Sequence, residues 1–352
     1  MENAFFQRLM NWYGQYKRDL PWRNTSDPYI IWLSEIILQQ TRVEQGLPYF
    51  FKFMENFPNV KALAEAPEDR VMKCWQGLGY YSRARNLHST AKYIAFECGG
   101  EFPQTYESIL ALKGVGPYTA AAIASFAFGE AVPVVDGNVY RFVARYLAID
   151  MPIGTSKAHP YFSELLKEWM PANAAAAFNQ AMMEFGALHC TPAQAKCETC
   201  PFQIDCQAFH TKSIYSYPVK APKTKVKEVY YHFLVLEHAE QIYVSQRDDS
   251  GLWKRLWHFP LIESSTHLHE TELLDAVALN MEIDSIGIEM KGVWNTIHLL
   301  SHRKIHAQFW ELRSEFAPKK NDIFGTTWKE LEQLALPQIM VKYLNHRKDV
   351  GK

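Results

Sequence analysis

Four cysteines, Cys190, Cys197, Cys200 and Cys206, fall within one short polar stretch, HCTPAQAKCETCPFQIDC, in the spacing C-x6-C-x2-C-x5-C. Thiolates this near in sequence can converge on one centre without a distant segment, and four sulfurs suit either zinc or an iron-sulfur cluster. Two acids have equally specific surroundings. Glu35 lies in YIIWLSEIILQQ among Ile31, Trp32, Ile36 and Ile37. Burial there would disfavour its charged form and raise its pKa, as a general acid near neutral pH requires; with Ser34, Gln39 and Gln40 nearby it could also face solvent. Asp136 and Asn138, in PVVDGNVYRFVARYL, precede a helix that the aspartate can cap while staying partly solvated. The remaining cysteines, Cys74 and Cys98, sit in helical text and read as core thiols.

Helices must hold these groups. Up to about residue 210 the chain reads as helix after helix with short Gly or Pro punctuation, as in DPYIIWLSEIILQQT, where Asp27 can cap and Pro28 suits the first helical position. In LKGVGPYTAAAIASFAFG an apolar helix end meets Gly114-Val115-Gly116, and Pro117 then opens an alanine-rich helix. This is the grammar of a helix-hairpin-helix. Its glycines allow close backbone approach and its free N-H groups suit a DNA phosphate, although a plain tight turn has the same pattern. The stretch 211–227, TKSIYSYPVKAPKTKVK, is rich in lysine with two prolines and no acid, which suits an exposed linker, either merely solvated or laid along a polyanion. Beyond it, VYYHFLVLEHAEQIYVSQR and RKIHAQFWEL read as strands and ETELLDAVAL as a helix, so the second half is α+β.

With 352 residues, 48% apolar and 21% charged, the chain has the size and composition of two folded domains. A net charge of -1 advertises no nucleic acid globally, so any anion must meet a local basic surface. The first residues, MENAFFQRLMNWYGQYKRDL, place Phe5, Phe6, Leu9, Met10 and Tyr13 at helical spacing and lack the apolar core of a signal peptide. No apolar run approaches the ~20 residues of a membrane span. The expectation is a cytoplasmic protein, in whose reducing compartment clustered cysteines favour metal ligation over disulfides.

The order of Glu35, glycine hairpin, Asp136 and cysteine cluster resembles the endonuclease III superfamily of DNA glycosylases and, within it, the adenine DNA glycosylase (MutY) family. The phrases that carry the resemblance are LPWR at 20–23, WLSEIILQQT at 32–41, GLGYYSRARNL at 77–87, VDGNVYR at 135–141 and FNQAMMEFGALHC at 178–190. They cover nearly all of the first domain. The resemblance implies an all-α helix-hairpin-helix catalytic domain over 1–210, its cluster lobe formed by the N-terminal helix and residues after about 130. It implies that Cys190, Cys197, Cys200 and Cys206 hold a [4Fe-4S] cluster. A basic linker over 211–227 and an α+β, Nudix-like domain over 228–352 that recognises 8-oxoguanine would follow.

By the same resemblance, protonated Glu35 protonates adenine N7, ionised Asp136 stabilises the oxocarbenium-like sugar, and Tyr118 and Asn138 assist at the sugar. Arg18, Trp22 and Leu38 should line the adenine pocket, with Thr41 among the DNA-binding residues; Gln40 and Tyr80 should wedge into the duplex. Gly114 and Gly116 should hold backbone phosphate, and Lys196 should serve a DNA-contacting loop braced by the cluster. Ser301 and His302 match the family's lesion-contacting loop, but Leu300 replaces its phenylalanine, and Lys113 stands where relatives often have proline. The second domain lacks the Glu-rich Nudix signature, so recognition without pyrophosphate hydrolysis is expected.

Bifunctional relatives carry a lysine two residues after the second hairpin glycine that forms a Schiff base; here that position is Tyr118. The expectation is therefore a monofunctional, monomeric, nucleoid-associated enzyme of bacterial type acting on double-stranded DNA with adenine opposite 8-oxoguanine or guanine. An endonuclease III-type pyrimidine glycosylase/AP lyase and a non-catalytic DNA-binding or electron-transfer protein are the competing readings.

Overall fold

The computed structural model describes residues 2–222, 226–284, 287–300 and 302–350. The chain forms two compact units, Met1–Glu65 with Asn86–Pro222, and Ala66–Arg85 with Lys223–Lys352. The first is helical. Its helix Pro28–Leu38 starts where Asp27 Oδ1 accepts from the Tyr29 N-H at 2.8 Å and Pro28 takes the first turn. A helix apolar on every side must be covered on every side, and Ile31, Trp32, Leu33, Ile36 and Ile37 are all buried. The alanines of Pro117–Phe128, buried from Ala120 to Ala122 and at Ala124, make a thin, close neighbour for it.

The N-terminal helix Glu2–Tyr16 lays Phe5, Leu9, Trp12 and Tyr13 into a core with Phe142 of Gly137–Tyr146, Phe178 and Phe185 of Ala175–Leu188, and Phe202 of the cysteine loop. Each such side chain contributes about 1.5–3 kcal/mol by leaving water. The first helix thus joins chain that follows residue 130 rather than its own sequence neighbours.

The second unit holds a seven-stranded sheet. Its strands are β1 Lys227–His238, β2 Gln241–Gln246, β3 Trp257–His258, β4 Leu261–Ser264, β5 Ile288–Leu299, β6 Arg303–Ser314 and β7 Phe324–Thr326. The order is β3-β2-β1-β6-β5, with β4 on β1 and β7 on β2; only β1 and β6 run parallel among the described pairings. Over β1 both faces are covered, which is why it reads as a nearly unbroken apolar run, whereas edge strand β5 alternates half-buried and exposed residues. Leu234 and Leu236 meet Leu273, Val277 and Met281 of the helix Glu270–Met281. Phe233 stacks on Phe309 at 4.5 Å, and Phe309 on Tyr343 of the helix Gln338–Val350 at 4.5 Å.

The segment 66–85, read in the sequence with the helical first half, packs in this second unit. Arg255 pairs with Glu68 at 3.2 Å, and Arg85 Nη1 donates to the Lys254 carbonyl at 2.8 Å. Its helix Glu68–Trp75 is amphipathic, and local pattern specifies that a face is buried but not which core receives it. Cys74 is buried as expected, whereas Cys98 ends a π-helical turn, Tyr93–Glu97, and is half-buried. Among the described residues no helix is long and apolar enough to cross a membrane.

Candidate active site

Glu35 is 5% exposed, so it faces inward from its helix. It lines a recess of about 770 Å³ together with Arg18, Trp22, Leu38, Thr41, Tyr118, Asp136 and Asn138. Burial pushes the Glu35 carboxyl up to about 7; the Tyr118 hydroxyl, which donates to Glu35 Oε2, and the charge of Arg23 pull against this, while the charge of Asp136 adds to it. Asp136 caps the helix Gly137–Tyr146. Its Oδ1 accepts from the N-H groups of Asn138 and Val139, both at 2.8 Å, and its Oδ2 from Asn138 Nδ2 at 2.6 Å. Burial raises its pKa too, but these donors and the charge of Arg141 oppose the rise. With three donors on Asp136, a single proton shared between the two acids belongs on Glu35.

Glu184 also lines the recess, and sequence reasoning did not single it out. Burial alone would raise its pKa, but Arg23 and Arg18 outweigh it and hold the carboxyl at about 2. Arg18 reaches Oε2 at 2.6 Å and Arg23 at 2.7 Å. Two guanidinium charges therefore balance the Glu184 and Asp136 carboxylates when Glu35 is neutral. Gln180, which accepts from the Tyr13 hydroxyl at 2.9 Å, joins the same wall. The available signal was Gln180 and Glu184, four apart and polar on the otherwise largely apolar helix Ala175–Leu188.

That helix comes so close to Asp136's helix that a Cβ on Gly186 would stand 2.5 Å from the Asn138 carbonyl oxygen. Across the contact, Arg141 Nη2 donates to Asn138 Oδ1 at 2.9 Å and to the Gly186 carbonyl at 2.6 Å, while its Nε donates to the Cys190 carbonyl at 2.7 Å. Bonded groups thus run from Asp136 to the first cysteine.

The four clustered cysteines are free thiols lining one recess of about 320 Å³, closed by Phe142, Phe185 and Phe202. Burial, helped by the negative charges of Cys190, Cys206 and Cys197 and opposed by a backbone N-H at Phe202, pushes the Cys200 thiol up to about 12. Arg145, buried, brings Nη1 to 3.4 Å from Cys190 Sγ. Four thiols around one recess, with a cation beside them, fit a positively charged centre that compensates four thiolates. No group of three or more His, Cys, Asp or Glu among the described residues is arranged to hold a single metal ion.

Residues 33–171 match the HhH-GPD superfamily base excision DNA repair protein family, and residues 231–346 match the NUDIX domain family. Adenine DNA glycosylase of Buchnera aphidicola subsp. Baizongia pistaciae is 36% identical, over 97% of this chain and 96% of its own length. Adenine DNA glycosylase of Mus musculus is 32% identical, over 99% of this chain and 79% of its own. The chain belongs to the adenine DNA glycosylase family. Among solved structures, a thermostable thymine-DNA glycosylase matches with a TM-score of 0.56 and 29% identity, over 60% of this chain and 97% of that one. An endonuclease III–DNA complex, at a TM-score of 0.52 and 19% identity over 60% of this chain and 98% of that one, shows the shared helical fold.

Among the described residues no lysine lines the recess, and Tyr118, two residues after Gly116, is part of its wall. In the hairpin, Gly114 is required by the chain itself: its φ is +79°, and a Cβ would meet Asn86 at 2.5 Å. Gly116 has no such neighbour, and open space lies before it. Gln40 and Tyr80 lie outside the recess, and both hold left-handed backbone rare for their types, at φ +58° and +48°. Both are exposed at tight turns. His302 is exposed in the β5–β6 turn, which Leu300 N-H closes on the Arg303 carbonyl at 2.8 Å. Ser301 lies outside the described residues.

Proposed function

We propose that the protein is a monofunctional adenine DNA glycosylase that hydrolyses the N-glycosidic bond of adenine opposite 8-oxoguanine or guanine in double-stranded DNA. The observation that carries this reading is the pairing of an inward Glu35, raised to about 7, with a hydrogen-bonded Asp136 in one recess.

The adenine leaves the stack and enters the recess, at the cost of a few kcal/mol of unstacking. Trp22 and Leu38 pack the base, and Arg18, Arg23, Glu184 and Gln180 offer polar groups to its edge. Glu35 gives its proton to N7 and makes the base a better leaving group, its other oxygen held by Tyr118. Asp136 stabilises the positive charge that develops on the sugar, and a water adds to the sugar carbon as its proton passes to the Glu35 carboxylate, which restores the acid. Gly116 and the first turn of Pro117–Phe128 hold the backbone phosphate, Gln40 and Tyr80 wedge into the duplex, and the turn with Ser301 and His302 meets the oxidised base. The four cysteines hold a [4Fe-4S] cluster, whose contribution is to cross-link the lobe and fix the loop around Lys196. No step of base removal runs through it.

Single-turnover assays on duplexes with adenine opposite 8-oxoguanine, adenine opposite guanine, thymine opposite guanine, and thymine glycol test the reading. Adenine release with strand breaks only after alkali is expected, with Glu35→Gln and Asp136→Asn each slower by about 10²–10⁴. Thymine glycol removal with borohydride trapping would establish the lyase reading instead.

A further inference from the structure

The proposed wedge Tyr80 stands in the compact unit that also holds the β5–β6 turn, whereas Glu35 and Asp136 stand in the other. Its neighbour Tyr81 points the opposite way. Tyr80 is 48% exposed, and Tyr81 is 5% exposed with its hydroxyl donating to the Leu336 carbonyl at 2.7 Å. Leu336 is buried in the loop between the short helix Trp328–Leu331 and the helix Gln338–Val350. The Ala335 carbonyl accepts from the Trp257 N-H at 3.0 Å, so this loop is fastened to β3. Ahead of the turn, the Lys73 ammonium reaches the Leu334 carbonyl at 3.3 Å and that of Glu332. Within the turn, the Arg83 guanidinium lies 5.1 Å from the Trp75 ring and 5.4 Å from the Tyr80 ring, backing the exposed aromatic against a buried one.

We infer that Tyr81 and Lys73 are positioning residues that moor the Tyr80 turn to the 332–336 loop, so that the wedge is set by the unit that reads the opposite base rather than by the unit that cuts. The inference rests on the proposed role of Tyr80. It follows that loosening the mooring should cost discrimination between opposite bases and leave acid-base chemistry intact.

Tyr81→Phe removes one hydroxyl and keeps the ring; Lys73→Met removes a half-buried charge and keeps most of the stem. Both would be compared with Tyr80→Ala and with the Tyr80→Ala/Tyr81→Phe pair, in subsaturating single-turnover assays normalised to active enzyme. A 2-aminopurine beside the mispair would report insertion. The expected result is a fall of about three- to tenfold in the rate ratio for adenine opposite 8-oxoguanine over adenine opposite guanine for Tyr81→Phe and Lys73→Met. The pH profile should stay unchanged, and Tyr81→Phe should have no further effect once Tyr80 is alanine. An unchanged ratio in both single variants, or an equal loss with Tyr80 absent, overturns the inference. If Tyr80→Ala itself leaves ratio and fluorescence unchanged, the wedge reading fails instead.

Discussion

Glu35 accepts from one hydroxyl, whereas Asp136 accepts from two backbone N-H groups and an amide, and this asymmetry favours a shared proton on Glu35 over Asp136. Activity should fall as pH rises through about 7, where Glu35 loses its proton, and a rate profile without that basic limb would remove Glu35 from the acid role. The same shift acts on stability. A carboxyl whose folded pKa lies above its unfolded value contributes stability below the unfolded pKa and loses it as pH rises through the folded one. Glu35→Gln should therefore be slow yet more stable than the native chain above pH 7, by up to about 3 kcal/mol, with the gap shrinking toward pH 4.5. Urea unfolding at pH 5 and pH 8 measures this; a gap that does not widen with pH would mean the carboxyl is solvated.

The hairpin puts two glycines of different purpose two residues apart. Gly114 answers to the protein, through its φ of +79° and the 2.5 Å approach to Asn86. Gly116 answers to nothing within 4 Å, and its φ of -98° suits any residue. Gly114→Ala should cost about 1–3 kcal/mol through strain and overpacking. Gly116→Ala should cost no more than about 1 kcal/mol, the difference between glycine and alanine at an N-cap, yet weaken binding to duplex DNA. Thermal melts and titrations of both variants decide it; a Gly116→Ala protein with native affinity would make that glycine a plain turn residue.

The two units hold different groups: cysteines, Glu35 and Asp136 lie in one, the sheet and the Tyr80 turn in the other. The cysteine loop is fastened to the first core through Phe202 and through Arg145, which donates to Cys190 Sγ and to the Thr191 carbonyl at 2.7 Å. Cys200→Ser should abolish iron uptake, lower the melting transition of the helical unit and leave that of the sheet unit in place. Calorimetry with iron analysis checks this, and loss of iron without any change in melting would deny the cysteines a structural role. Because burial holds the Cys200 thiol up near 12, reconstitution with iron and sulfide should weaken as pH falls and protons compete for the sulfurs.

Chemistry that depends on residue type and short spacing was legible in the chain: four thiols over a short loop, an acid before a helix, two glycines between helices. Caps and periodicity placed Pro28–Leu38, Pro117–Phe128 and β1, because dihedral preferences and alternation act over a few residues. The direction of Glu35 was not legible, since a helix apolar all round has no face to read; the thin alanine helix beside it decides that. Nor were the Glu184 pairs with Arg18 and Arg23, or the Tyr81 bond to Leu336, whose partners lie 166, 161 and 255 residues apart. The sequence by itself determined which reactive groups exist and which local turns present them. Tertiary structure decided which acid is buried, which ions pair and which core receives the segment 66–85, because burial and Coulomb energies depend on neighbours that only the closed chain brings together.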